Sequence, residues 1–466
     1  AVDAALAAML TSFVAEPLLT GLGAGGYMLV AAPGRDPVLL DFFVAAPGRG
    51  ADLSGRAPLV PVDVSFGDAV QVFNVGAASC GTYGTPAGVC EAAARFGTIP
   101  LADLAASAAA VARSGVEVNA EQAYLFEILS PILRTSPEAC ALYLPGGRLP
   151  RRGDVMREPD LADALERLGA EGAAPFYGGD IGAAVSARVC ELGGTLTRAD
   201  LAAYEALPRD PVHVRYRGRE VLTNPPPSAG GTLLAYALAL LERAGGARDP
   251  LALVAVMERA QAERTPEFLT GLAEPRFLER FMASRLGSTT HISVLDADGW
   301  ACAVTCTNGE GSGVVVPGTG VHVNNMMGEQ DLSPLGFFTH PAERRLPSMM
   351  APTVVLGEDG APELALGSAG SNRIRSALLQ VIVNVVDRGM DAADAVEAPR
   401  LHFEEGIVYA EPGIDVVALE AAGHTIARFR ALNLFFGGCQ AAERDPATGA
   451  FDGGGDPRRG GAVVLA

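Results

Sequence analysis

The sequence contains no lysine: all 35 of its basic residues are arginine. That excludes Schiff-base catalysis and the lysine of a phosphate-binding loop. Cysteine is scarce and scattered, at positions 80, 90, 140, 190, 302, 306 and 439. An odd, widely spaced set argues against a disulfide framework. Cys302 and Cys306 have no second Cys/His pair at zinc spacing, so they read as buried thiols on a strand and no metal is expected. No run is long and apolar enough to span a bilayer. The opening residues carry Asp3 and no basic leader, which is unlike a signal peptide and leans towards a cytoplasmic protein without a membrane partner. Positive charge is also in deficit. The net charge of −19 repels phosphate backbones, so no nucleic-acid partner is expected.

What is present is apolar material. The chain has 466 residues, 49% of them hydrophobic, enough for one large domain or two to three small ones with a folded core. Helical spacing of Val2, Leu6, Met9, Leu10 and Phe13 predicts a first helix ending near Pro17. The Gly21–Gly26 run that follows lies between a helix and a strand, Tyr27–Ala31. A dinucleotide loop needs the reverse order, so the glycines read as a close approach of backbones. Residues 85–260 read as mainly helical, with helices at Leu101–Arg113, Leu161–Leu168, Ile181–Leu192 and Leu233–Arg243. Then the pattern changes. Residues 290–307 read as two strands joined by Asp296-Ala297-Asp298-Gly299, a hairpin signal. A strand at Thr353–Leu356 and an apolar helix at Ser376–Val386 follow. This order predicts an α+β layered domain rather than a doubly wound sheet.

Where the helical region meets the hairpin stands Ser288-Thr289-Thr290-His291, followed by Thr305-Cys306-Thr307 and Val323-Asn324-Asn325. Elsewhere the chain carries Gly23-Ala24-Gly25-Gly26-Tyr27, Phe176-Tyr177-Gly178-Gly179, Tyr216-Arg217-Gly218, Pro226-Pro227-Ser228-Ala229-Gly230-Gly231 and Ala398-Pro399-Arg400. In this order, almost end to end, these segments resemble the γ-glutamyltransferases. The resemblance implies a four-layer αββα fold of the N-terminal nucleophile hydrolases. It implies an inactive precursor that cuts itself at Ser288–Thr289, giving fragments 1–288 and 289–466 that remain one intertwined heterodimer. It makes Thr289 the nucleophile and Thr307 the residue whose hydroxyl contacts it. The chemistry agrees: a freshly exposed α-amine, with a pKa of about 7.7–8.0, can take the hydroxyl proton without a cofactor or metal. Gly367-Ser368-Ala369-Gly370-Ser371 resembles the family's oxyanion segment, with Gly370 and Ser371 at the two backbone donors.

The substrate-reading positions depart from the family. Its carboxylate-gripping Arg, in an Asp-Phe-Arg segment, is replaced by Phe43 in Asp41-Phe42-Phe43. That loses a bidentate, charge-assisted contact. Met326 replaces a polar partner, Glu329 keeps an acid, Asn308 is shifted by one, and of two paired serines only Ser348 survives. The Asn308–Gly313 loop borders this altered pocket, and Arg373 or Arg375 is a candidate replacement cation. The small-molecule substrate is therefore expected to be an amide of an amino-acid-derived acyl group other than the ordinary γ-glutamyl one. A second reading is carbon–carbon bond hydrolysis releasing an oxalyl unit, as in family-like proteins of alkylproline antibiotic biosynthesis. A third, a non-catalytic homologue, is opposed by the intact Thr289, Thr307 and Gly370.

Overall fold

The computed structural model describes residues 1–65, 70–247, 249–263, 290–333, 336–370 and 372–466. Thr289 and Ser371 lie outside the described residues. The helices that frame the fold are α1 (Val2–Ala15), α2 (Thr85–Phe96), α3 (Leu101–Ser114), α4 (Pro159–Glu171), α5 (Ala229–Ala244), α6 (Pro250–Ala262), α7 (Arg373–Val386) and α8 (Ala392–Glu397). The strands of the two principal sheets are β1 (Gly25–Ala31), β2 (Val38–Phe42), β3 (Leu207–Arg209), β4 (Val212–Tyr216), β5 (Arg219–Thr223), β6 (Thr290–Leu295), β7 (Ala301–Thr307), β8 (Thr353–Leu356), β9 (Pro362–Ala369), β10 (Gly438–Arg444) and β11 (Phe451–Gly455).

One sheet has the order β6-β7-β1-β2-β3 and the other β11-β10-β9-β8-β5-β4. Neighbours in both run antiparallel. The four-layer αββα architecture follows from side-chain alternation. In β1 and β7, Met28, Val30, Cys302, Val304 and Cys306 enter a core shared with α1, α3 and α4. Tyr27, Leu29, Ala301 and Ala303 point the other way, into the core between the sheets. Because both faces are covered, every residue of β1 and β7 is buried. On the far side, α5 and α7 pack on the second sheet and α6 packs on α5, through Leu234, Leu241, Val254, Leu378 and Ile382. Fully burying each such side chain contributes about 1.5–3 kcal/mol.

The first helix, the strand after the glycines, the hairpin and the strand at Thr353–Leu356 occur where the sequence places them. The glycines do permit close approach: a Cβ on Gly26 would fall 2.4 Å from the Thr305 carbonyl oxygen. Residues 85–260 are mainly helical as read, but β3, β4 and β5 also lie within them and complete both sheets. Val212–Tyr216 alternates buried and exposed residues, a strand pattern that the surrounding helices obscure. Among the described residues, no helix is long and apolar enough to cross a membrane. All seven cysteines are free, and Cys302 and Cys306 are buried on β7.

Candidate active site

The register of the first sheet sets the site. Thr290 pairs with Cys306 and His291 with Thr305 across the hairpin, so Thr307 is the next residue of β7 at that end. On its other side Thr307 faces Gly25 of β1. The Thr307 hydroxyl accepts a hydrogen bond from the Gly309 amide at 2.9 Å. β6 and β7 both pack against β9, whose end leads into Gly370.

His291 is part of the scaffold. The Ser293 hydroxyl donates its proton to the Gln440 carbonyl at 3.1 Å. Nε2 of His291 must therefore donate to Ser293 at 2.9 Å, leaving Nδ1 to accept from the Thr305 hydroxyl at 2.8 Å. Burial pushes the His291 pKa down to about 3, so the ring is neutral. Gly367 makes room for it, since a Cβ there would lie 2.1 Å from His291 Nδ1.

Next to Thr307 the chain turns sharply. Gly309 has φ +65°, and a Cβ on it would fall 1.9 Å from Asn325 Oδ1 and 2.6 Å from Glu329 Oε1. Glycine thus lets Asn308, Glu310, Asn325 and Glu329 converge. Their polar atoms are underused. Both amide atoms of Asn308 and Nδ2 of Asn325 are sealed from solvent and lack a hydrogen-bond partner, while Glu310 and Glu329 are sealed beside one another and pair only when one of them is protonated. Unpaired buried polar groups are costly, and a cluster of them beside a hydroxyl is a candidate ligand cradle. Burial raises the Glu310 pKa to about 7, and burial with the Glu310 and Asp331 charges raises that of Glu329 well above the usual range. Around neutral pH the pair holds at least one proton, as close carboxyls do.

The strand on which β6 and β7 pack ends at the junction of β9 and α7. Gly370 has φ +120°, and a Cβ there would lie 2.6 Å from Gly437 Cα. Asn372 follows, its Nδ2 bonded to Glu404 and, at 3.5 Å, to Asp331. His402 joins Glu404 to the Ser376 hydroxyl, with contacts of 3.3 Å and 2.8 Å. Although burial pushes the Glu404 pKa up, the His402 contact and the Arg373 and Arg375 charges bring it down to about 2.

The structure brings together Thr307, Asn308 and Glu329 around Gly309, and places Gly370 at the end of the strand on which β7 packs. Arg373 stands near Gly370, but its Nε donates to the Phe435 carbonyl at 2.9 Å and its guanidinium covers the Phe435 ring. Arg375 donates to the Asn372 carbonyl and to Gln261. Phe43 and Met326 are in the inter-sheet core, where Phe43 is 1% exposed and stacks on Tyr27 at 5.4 Å. Ser348 is a buried bridge to Ser228 at the start of α5. Three site residues were not singled out from the sequence: Glu16, Glu310 and Arg459. Glu16 accepts from the Thr290 hydroxyl at 3.4 Å, and burial raises its pKa despite the Arg459 charge. Glu310 is the one charge in a glycine-rich loop already assigned to the pocket, a usable signal. Among the described residues, no cluster of three or more His, Cys, Asp or Glu is placed to hold a metal ion.

Comparison with known proteins bears on this geometry. The gamma-glutamyltranspeptidase family profile matches residues 1–269 and 261–466. The chain belongs to the gamma-glutamyltranspeptidase family. It is 32% identical over 465 residues to the acylase ACY 1 proenzyme of Pseudomonas sp. (strain SE83), covering 92% of this chain and 83% of that one. It is 31% identical over 453 residues to the glutathione hydrolase proenzyme of Escherichia coli (strain K12), covering 87% and 77%. The crystal structure of cephalosporin acylase from Bacillus halodurans superposes with a TM-score of 0.84 at 26% identity, covering 100% of this chain and 91% of that one. Membership of the gamma-glutamyltranspeptidase family makes the chain an enzyme of the hydrolase/acylase type on the αββα frame.

The acid pair has a testable consequence for stability. Glu310 titrates at its ordinary value of 4.5 when unfolded and at about 7 when folded. The folded state then keeps a proton that the unfolded state has lost. The stabilisation is complete below about pH 4.5 and is lost as pH rises through about 7. Glu329 acts in the same direction, while the Arg459 charge opposes it. Thermal unfolding between pH 5 and 8 should show a smaller fall for Glu310→Gln than for the wild type. The comparison must be made between variants, because Glu158, raised by burial to about 8, adds its own slope to both. Parallel curves would mean that Glu310 titrates normally.

Proposed function

We propose that this protein is a self-cleaving N-terminal-threonine hydrolase or acyltransferase that opens an amide of a small amino-acid-derived or dicarboxylic acyl group. Thr289 is the nucleophile and its own α-amine the base. Cleavage of Ser288–Thr289 exposes both at once. The observation that carries the reading is the convergence beside β6. The strand begins at Thr290, opposite the end of β7 that bears Thr307, and both strands pack on the strand leading to Gly370. The attacked carbonyl would develop its negative charge towards the backbone donors of Gly370 and Ser371, at the start of α7. Its acyl chain would extend to Asn308, Asn325, Glu310 and Glu329.

The family supports self-processing, since both named relatives are described as proenzymes. Fragments 1–288 and 289–466 would remain associated. The first supplies β1, β2 and β3 to one sheet and β4 and β5 to the other; the second supplies β6 and β7, and β8 to β11. The reading favours an acyl donor unlike glutathione, because Phe43 and Met326 give the inter-sheet core an apolar surface where the family resemblance implies an Arg and a polar partner.

Intact mass spectrometry of the purified protein beside Thr289→Ala tests the proposal. Two fragments meeting at Ser288/Thr289, with the variant uncut, are expected. A single uncut wild-type chain after prolonged incubation would overturn it.

A further inference from the structure

Away from the candidate active site, α1, the helix Pro137–Tyr143 and the start of α4 frame a cavity of about 650 Å³. None of Thr290, Thr307, Asn308, Glu329 and Gly370 lines it. Its walls are largely apolar, with Phe13, Leu22, Leu161, Val316 and Val321 among them. One acid in these walls stands out. Glu158 is 8% exposed, and its carboxyl makes no hydrogen bond and no ion pair among the described residues. It precedes the first turn of α4, where the free helix amides favour a negative charge. Yet its side chain makes no capping bond. Only the backbone is tied down, the Glu158 N–H donating to the Ala112 carbonyl of α3 at 3.0 Å.

The other polar groups of the cavity are already committed. The Gly313 N–H donates to Nε2 of His322 at 3.2 Å, so the ring proton is on Nδ1 and goes to the Tyr143 oxygen at 3.1 Å. The Tyr143 hydroxyl then donates to the Pro17 carbonyl at 3.3 Å. Burial pushes the His322 pKa down to about 4, so the ring brings no charge. Glu138 pairs with Arg188, and Asp160 accepts from the Gly318 N–H at 2.7 Å. Arg157 is exposed, and its stem lies over Gly115, where a Cβ would meet Arg157 Cγ at 2.8 Å. The walls therefore offer Glu158 neither a free donor nor a counter-charge. A buried carboxyl left in that state is costly unless a ligand completes it.

We propose that this cavity binds a small organic ammonium ion with an apolar body, whose N–H groups donate to the Glu158 carboxylate. The ligand supplies the two things the walls lack, donors and positive charge, and its body fills the apolar remainder. A metal ion fits less well, since it needs several oxygen ligands and no cluster of three or more His, Cys, Asp or Glu is placed to hold one among the described residues. The assignment does not depend on the Proposed function, because it uses none of the residues named there. It does touch the same loop from behind: a Cβ on Gly311 would fall 2.2 Å from His322 Cε1, and Gly311 and Gly313 belong to or adjoin the turn that carries Glu310.

The test is isothermal titration of benzylamine into the purified protein at about pH 8, the value to which burial and the Asp160 charge raise the Glu158 pKa. Benzyl alcohol serves as the uncharged counterpart, and Glu158→Gln and Ala141→Trp are compared with the wild type. Ala141 is an exposed residue of the lining, so the larger ring obstructs the cavity without entering the core. Millimolar or tighter binding of benzylamine by the wild type is expected, weakened at least about tenfold in each variant, with benzyl alcohol at least about tenfold weaker than the amine. Equal affinity in wild type and Glu158→Gln would overturn the assignment, as would a wild type that does not bind benzylamine. Equal affinity for the alcohol also overturns it, since Glu158 would then serve a neutral ligand. If Glu158→Gln fails to fold, Ala141→Trp decides: unchanged affinity there places the amine elsewhere, the Glu310–Glu329 pair included, and the cavity is not its site.

Discussion

Gly370→Ala is expected to leave a folded, self-associated protein whose kcat is lower by about 10²–10³, the usual cost of losing one oxyanion donor. Two physical facts lead there. The residue sits at φ +120°, where an L side chain is strained whatever space it has. The new methyl would also fall 2.6 Å from Gly437 Cα and 3.2 Å from Gly437 N, both backbone atoms that cannot swing aside. The strand-to-helix junction must therefore shift, and with it the direction of the Gly370 N–H. The effect should appear in kcat with KM little changed, because a donor aimed at the oxyanion acts mainly in the transition state. Steady-state kinetics on protein shown by mass to be processed would check it. A fall confined to KM would mean that Gly370 shapes the binding pocket rather than the oxyanion wall.

Arg458→Met should destabilise the protein by about 3–5 kcal/mol, the cost of leaving a buried charge without its partner. The Arg458 side chain is fully buried, as are those of Glu411 and Asp456. Its Nε donates to Glu411 at 2.8 Å, and Asp456 is shared with Arg400 at 2.6 Å and with the Cys439 amide at 2.7 Å. Removing the guanidinium strands Glu411 between the Arg400 and Asn433 amides, too few donors for a buried carboxylate. Urea unfolding followed by circular dichroism should show a lower midpoint with an unchanged slope. Glu411→Gln in the same background should recover part of the loss, since it removes the orphaned charge. No recovery would place the stabilisation in Arg458 packing instead.

Much of the fold was legible where local pattern and tertiary role agree. The hairpin of β6 and β7 combines apolar strands with an Asp-Gly turn, and it forms as read. β9 and β11 left less trace. Pro362–Ala369 is buried almost throughout and so lacks alternation, and Phe451–Gly455 is largely glycine. The site divides in the same way. Thr307, Asn308 and Glu329 fall within a short segment, so a motif can name them. Glu16 and Arg459 line one cavity from distant parts of the sequence and belong to no spacing pattern. Phe43 shows the remaining gap: the sequence reveals a missing cation but not the ring's destination. Packed on Tyr27 among Leu346 and Met350, that site would now enclose an arginine at a desolvation cost.

The neutral chain from Thr305 through His291 and Ser293 to Gln440 has a mechanical meaning. Among the described residues β6 is an edge strand, with a ladder partner on one side only. An edge strand alone is free to splay, and the residue at its start would wander with it. Here the imidazole and the Ser293 hydroxyl together act as a strut: the ring braces Ser293 against Thr305, and the hydroxyl ties the rim of one sheet to the backbone of the other. The strut carries no charge over the working pH range, so neither salt nor mild acid slackens it. The position of Thr290 is thereby referenced to both sheets, and any sliding of one layer over the other is transmitted to the start of β6 as a displacement.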